Sequence, residues 1–265
     1  MSESTPLLID YHCHLDLYPD YEAQFQACTT KRIATLAVTT TPQAWPRNKE
    51  LAARSPLVRV GLGLHPQLVA ERKTELSLFE RYLPETRYVA EVGLDAGPAY
   101  YKSYPEQREV FETILRLCAA AQRKILSVHA VRAHGDVLTL VERHLSGTNN
   151  RVVLHWFSGS AAEARRAAAL GCYFSINHLM LAKLSATSLI EAVPKERLLT
   201  ETDGPFTKVG SRPSVPADVE GTVKAAASLL GISEQEMGDL LLRNLNDLER
   251  GEATERTGKT LLRRL

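Results

Sequence analysis

Eight short runs of aliphatic and β-branched residues punctuate the chain, at 7–9, 33–38, 58–60, 88–92, 125–129, 152–155, 173–176 and 198–200. Helical patterns fill most of the gaps between them. The clearest, at 105–122, places Val110, Phe111, Ile114, Leu115, Leu117, Cys118 and Ala121 on one stripe at helical spacing, with Pro105 in a first-turn position. Further patterns lie at 42–53, 74–82, 133–144, 161–170 and 219–230, with Gly171 and Gly231 placed as helix terminators. Strands that alternate with helices must pair in parallel, because each is reached by a crossover. Eight such units close a single (β/α)8 barrel of the TIM type, although a doubly wound open sheet satisfies the same alternation.

The placement of the ionisable residues separates these two folds. The first run leads into Asp10-Tyr11-His12-Cys13-His14, where residues two apart in an extended segment point the same way, so both imidazoles address one point. The fourth run holds Glu91, the fifth ends in His129, the sixth in His155, and the eighth is followed by Asp203. The C-terminal ends of the strands in a parallel barrel share one face, and that face carries the active site. His12, His14, Glu91, His129, His155 and Asp203 therefore converge in the barrel and have no common reason to do so in unrelated loops. Four imidazoles with two carboxylates suit borderline divalent ions such as Zn²⁺, Mn²⁺, Co²⁺ or Fe²⁺. Six ligands exceed the need of one tetrahedral ion and match two ions about 3.5–4 Å apart, bridged by a carboxylate.

Composition bounds the partners. The 265 residues, 44% apolar and 24% charged, describe a globular chain able to bury a core. Lys and Arg number 32 against 31 Asp and Glu, so no broad basic surface is available to hold long duplex nucleic acid. Cys13, Cys28, Cys118 and Cys172 are scattered without a C-x-x-C pair and read as small buried hydrophobes. The absence of a signal-like start and of long uncharged apolar stretches predicts a cytoplasmic protein with no membrane partner.

The motifs His12-Cys13-His14-Leu15-Asp16, Gly63-Leu64-His65-Pro66, Glu91-Val92-Gly93-Leu94-Asp95, His155-Trp156-Phe157-Ser158-Gly159 and Glu201-Thr202-Asp203-Gly204-Pro205 occur in a telling order and spacing. They resemble the TatD family of metal-dependent deoxyribonucleases, within the metal-dependent hydrolase barrels. The resemblance spans residues 7–248 and includes Arg243-Asn244-Leu245-Asn246, similar to the family's final Asn-containing helix. It implies that His12, His14 and Asp203 bind one ion, that His129 and His155 bind a second, and that Glu91 bridges them. Mg²⁺, Mn²⁺, Zn²⁺, Co²⁺ and Fe²⁺ all remain open as the metal. The bridging Glu91, where many related amidohydrolases and phosphotriesterases have a carboxylated Lys, favours phosphodiester chemistry of the TatD kind.

Under this resemblance Asp203 is the candidate general base, Glu91 the second catalytic carboxylate, and His65 a phosphate contact. Trp156 offers a base-stacking face, an interaction of about 1–3 kcal/mol per base in single-strand binders. Two positions depart from the family pattern. Gln67 stands where a second His often follows Gly-x-His-Pro, and Val131 stands where an Arg often follows the fifth-strand His, with Arg132 next in line as substrate contact. The segments 129–133 and 155–159 also resemble the TatD-like component of bacterial Qat antiphage operons, which implies a defence role and other subunits as partners. The expected substrate is DNA, as single strands or ends. The alternatives are a hydrolase of a small amide, ester or nucleotide, and a largely structural subunit. Lys208 and Arg212 are loop charges able to meet a phosphate backbone, while His134, His144 and His178 read as structural. Residues 1–248 form the expected barrel domain and 249–265 a polar tail, flexible or partner-docking.

Overall fold

Runs rich in Val, Ile and Leu become strands buried on both faces, as parallel strands covered by helices must be. The computed structural model describes residues 7–183 and 186–250. Its strands are β1 Leu8–Cys13, β2 Ile33–Val38, β3 Val58–Gly61, β4 Tyr88–Asp95, β5 Ile125–Val131, β6 Arg151–His155, β7 Tyr173–Ile176 and β8 Leu198–Thr200. A short antiparallel hairpin, β9 Lys208–Val209 and β10 Arg212–Pro213, follows. The helices are α1 Tyr21–Thr30, α2 Trp45–Ala52, α3 Val69–Arg72, α4 Leu76–Tyr82, α5 Tyr104–Ala121, α6 His134–Leu145, α7 Ala161–Ala169, α8 His178–Leu181, α9 Ala186–Ala192, α10 Val219–Leu230 and α11 Glu234–Arg250.

Strands β1 to β3 form one parallel ladder and β4 to β8 another, each in sequential order. Two seams join the ladders into a ring. Between β3 and β4 the Leu62 amide donates to Tyr88 and the Ala90 amide donates to Leu62, both at 3.0 Å. Between β8 and β1 the Asp203 amide donates to His12 at 2.9 Å and the His14 amide to Gly204 at 2.8 Å. The result is the expected (β/α)8 barrel, not an open sheet. Asp10 fastens the second seam: its carboxyl accepts from the Thr202 amide at 2.7 Å and the Thr202 hydroxyl at 2.6 Å. Complete burial pushes this carboxyl up to about 8.

Several strands run further than their apolar residues suggest. β1 continues through His12, β4 to Asp95 and β5 to Val131, because their polar side chains project into the barrel mouth while the backbone keeps its ladder. The four cysteines are free and buried, as expected, and burial pushes the thiols of Cys28, Cys118 and Cys172 up to about 12. No helix of the described residues is long and apolar enough to cross a membrane.

Helix α11 closes the bottom of the structure with Met237, Leu240, Leu241 and Leu248 buried. It runs past the boundary expected at Leu248, and Glu249 accepts from the Tyr88 hydroxyl at 2.7 Å. The remainder of the expected tail, 251–265, lies outside the described residues. Asn244 is the polar anchor of this helix: its amide donates to the carbonyls of Lys195 at 2.7 Å and Leu198 at 2.8 Å, at the start of β8. Removing it takes a donor from the buried Leu198 carbonyl and from the less enclosed Lys195 carbonyl. Asn244→Ala should lower the unfolding free energy by about 1–3 kcal/mol, whereas Asn246→Ala, at an exposed position, should stay within about 0.5 kcal/mol in the same denaturant titration.

Candidate metal centre

The barrel mouth is organised around one carboxylate. Glu91 sits on β4 and is 1% exposed. Its two oxygens face different groups of imidazoles. Oε2 lies 3.4 Å from Nε2 of both His12 and His14, which come from the end of β1. Oε1 lies 2.8 Å from His129 Nδ1 on β5, 2.8 Å from His155 Nε2 on β6 and 3.3 Å from His65 Nε2 after β3. Asp203, just beyond β8, places Oδ1 3.5 Å from His14 Nε2 and 3.9 Å from His12 Nε2. All six ligands expected from the sequence therefore meet, and His65 joins them.

This close approach depends on backbone with no side chain in the way. A Cβ on Gly63 would lie 1.8 Å from the Thr39 carbonyl and 2.4 Å from the Glu91 amide, so only glycine lets the β3–β4 connection lie against β4 here. The two seams of the barrel thus deliver Glu91 from one side and Asp203 from the other.

The electrostatics are those of a cation site. Burial alone would push the Glu91 carboxyl up, but His65, His155 and His12 around it override that and hold it well below the usual carboxylate range. Burial likewise opposes the hydrogen bond and charges from His14, His12 and His155 that keep Asp203 low. His12 and His65 are pushed down by desolvation; for His14, held by Asp203 and Glu91, the balance reverses and the ring rises to about 9. Among the candidate ligand atoms, His14 Nδ1 and His155 Nδ1 are buried without a hydrogen-bond partner, and His12 Nε2 and Asp203 Oδ1 have only the long contacts given above. Such orphaned atoms are costly unless something binds them. His12, His14 and Glu91 form one compact potential ligand set, and His65, Glu91 and His129 a second. A third combines His12, His155 and Glu201. The donor set fits divalent metal.

A family model described as TatD related DNase matches residues 9–250. The chain belongs to that family. It is an enzyme of the metal-dependent hydrolase kind. Among relatives, a mouse protein named putative deoxyribonuclease TATDN3 is 26% identical over 256 residues, covering 89% of this chain and 86% of the mouse protein. A protein of Cronobacter turicensis named 3'-5' ssDNA/RNA exonuclease TatD is 32% identical over 150 residues, 54% of this chain and 56% of that one. The crystal structure of the TatD homologue YjjV of Escherichia coli superposes with a TM-score of 0.81 at 24% identity, covering 91% and 97% of the two chains, and shares the fold.

Around these candidate ligands, the structure distributes the remaining candidate residues unevenly. A cavity of about 420 Å³ opens over the ligands and is walled by Gln67, Val131, Trp156, Ser158, Lys183 and Phe206. Trp156 is half-buried there, whereas Phe157 is fully buried against Phe174 and His134. Arg132 is not in this wall: it is exposed and lines an adjoining hollow of about 520 Å³ with Tyr104, His134 and Asp136. Arg212 is engaged by Asp218 through two bonds of 2.6 and 2.7 Å, and His144 by Glu112 at 2.9 Å. A larger hollow, about 930 Å³, lies outside the barrel along α1, and none of the ligands lines it. Phe206, 60% exposed with its ring edge-on to His14 at 5.0 Å, and Lys183 had no distinguishing sequence signal beyond Phe206 following the Asp203-Gly204-Pro205 turn.

Metal-stripped protein should gain thermal stability when Mn²⁺ or Zn²⁺ is added, by about 2.7 kcal/mol when free ion exceeds Kd a hundredfold. Glu91→Ala should abolish most of that gain. A melting temperature indifferent to both ions would remove the metal centre.

Proposed function

We propose that the chain hydrolyses phosphodiester bonds of DNA entering as single strands or ends, using two divalent ions that Glu91 and the residues around it would hold. The observation that carries this reading is the division of the Glu91 carboxylate, Oε2 toward His12 and His14 and Oε1 toward His129 and His155. His12, His14 and Asp203 would hold one ion, and His129 and His155 the other. When bound, such a pair acidifies a water and neutralises charge that develops on the phosphoryl group.

The chain's own residues do the rest. Asp203 Oδ1, buried beside His14, would take the proton of the attacking water. His65 presents Nε2 toward Glu91 at the edge of the cavity, where it can orient a phosphate oxygen. Trp156 and Phe206 give the rim two aromatic faces for unpaired bases, and Lys183 the nearby cation. A cavity of about 420 Å³ suits a strand end or single nucleotide, in keeping with the near-equal numbers of acidic and basic residues. Relatives named as a deoxyribonuclease and as a single-strand exonuclease support the same substrate class. The resemblance of 129–133 and 155–159 to the Qat component supports a role in antiphage defence.

A 3'-labelled single-stranded oligonucleotide incubated with Mg²⁺ or Mn²⁺ should be shortened by the wild type. Glu91→Ala and Asp203→Asn should each lower kcat at least about a hundredfold, the range for loss of a positioned proton acceptor. Unchanged cleavage in both variants contradicts the assignment. Trp156→Ala and Phe206→Ala should instead raise KM for single strands, by about five- to a hundredfold if one stacked base is lost, with little change in kcat.

A further inference from the structure

The two groups of histidines differ in what stands behind them. His12 has a neutral partner, the Ser127 hydroxyl at 2.8 Å from Nδ1, and His14 Nδ1 has none. His129 turns Nδ1 to Glu91, while its Nε2 lies 3.1 Å from Asp95 Oδ2. His155 turns Nε2 to Glu91 and has Glu201 Oε1 at 3.7 Å from Nδ1. A buried carboxylate stands behind each histidine of the second group: Asp95, 2% exposed, within hydrogen-bond distance of His129, and Glu201, 0% exposed, at an ion-pair distance from His155 Nδ1, a nitrogen otherwise without a partner.

Both carboxylates are held for this task. Asp95 Oδ2 also accepts from Gln67 Nε2 at 2.8 Å, and Oδ1 from the Gly97 amide at 2.7 Å. Its backbone is fixed by the fully buried Gln107 of α5, whose Oε1 accepts the Asp95 amide at 2.8 Å. His129, Gln67 and the Gly97 amide thus converge on the Asp95 carboxyl and fix its direction. Glu201 accepts from the Trp156 amide and Asn177 Nδ2 at 3.0 Å each, and from the Ser175 hydroxyl. Three donors already occupy the lone pairs of Glu201, which leaves it better suited to orient His155 than to bind an ion itself.

Charge counting gives these contacts a purpose. Glu91 and Asp203 supply two negative charges among the six expected ligands, and both of them face His12 and His14. The His129–His155 side has only its share of Glu91. We propose that Asp95 and Glu201 are positioning residues for the second ion: they fix the ring nitrogens that face it and supply the two negative charges that its own ligands lack. With them, four carboxylates match two divalent cations. Gln67, the departure from the TatD motif, is then part of the device, because it holds Asp95 toward His129. Partners of this kind commonly change metal affinity about 10–100-fold.

The inference rests on the two-ion function proposed above, and one experiment separates the two. Chelator-stripped protein is titrated with Mn²⁺ by calorimetry, and the exchange-coupled signal of a Mn²⁺ pair is followed by electron paramagnetic resonance. Wild type should bind two equivalents and show coupling. Asp95→Asn should weaken one equivalent about 10–100-fold, leave the other unchanged, and lose the coupled signal until excess Mn²⁺ restores it. Glu201→Gln should do the same through His155, and Gln67→Ala more weakly. Since Glu201→Gln replaces a fully enclosed group, Asp95→Asn carries the decision if that variant fails to fold. Two equivalents of wild-type affinity in Asp95→Asn, or equal weakening of both, overturns the assignment while leaving the two-ion centre intact. A wild type that binds one ion overturns both.

Discussion

A carboxylate enclosed by five imidazoles is the constraint around which this barrel is arranged. Glu91 is buried at the mouth with His12, His14, His65, His129 and His155 within 3.4 Å of its oxygens. An ionised group in such a place is costly unless positive charge accompanies it. The imidazoles around it favour its charge: His65, His155 and His12 hold the Glu91 carboxyl low, and Glu91 and Asp203 raise His14. A divalent cation would meet the same need, held by the imidazole nitrogens and carboxylate oxygens that face one another here.

The fold serves this arrangement by bringing distant segments to one ring. Glu91 reaches the centre from β4, tied to β2 and β3 by backbone bonds from Glu91 to Thr39 and from Leu64 to Glu91. Asp203 reaches it across the opposite seam, where the Asp10–Thr202 contacts pin the turn after β8 to β1. Helix α11, through Asn244, supports the beginning of β8 from below. A defect at either seam would therefore shift a carboxylate, and the site is sensitive to barrel closure in a way that a site on one loop is not.

Much of this was legible in the chain because ligands of a parallel barrel sit at strand ends, where local sequence shows them. His12 and His14, two apart on an extended segment, and the single polar residues closing the runs at β5 and β6 needed no tertiary information. The partners behind them did. Asp95 and Glu201 stand within motifs that were recognised, yet their roles depend on contacts between neighbouring strands, from Asp95 to His129 and from Glu201 to Asn177, Ser175 and His155. Gln67 looked like a lost histidine and proves to be a hydrogen-bond donor to Asp95. Arg132 follows the ligand His129 closely in sequence, but its backbone adopts φ 52° and its side chain opens onto the neighbouring hollow, leaving Val131 at the cavity. Helix α1 escaped notice because only Phe25 and Cys28 of its residues are buried, too few for a clear stripe.

The central claim is that the two oxygens of Glu91 separate two cation sites. Crystals grown with Mn²⁺ and measured at a wavelength where manganese scatters anomalously test it directly. Two peaks are predicted, one among His12, His14 and Asp203 and one beside His129 and His155, with Glu91 between them. A single peak, or a Glu91 side chain turned away from the metal, would contradict the account.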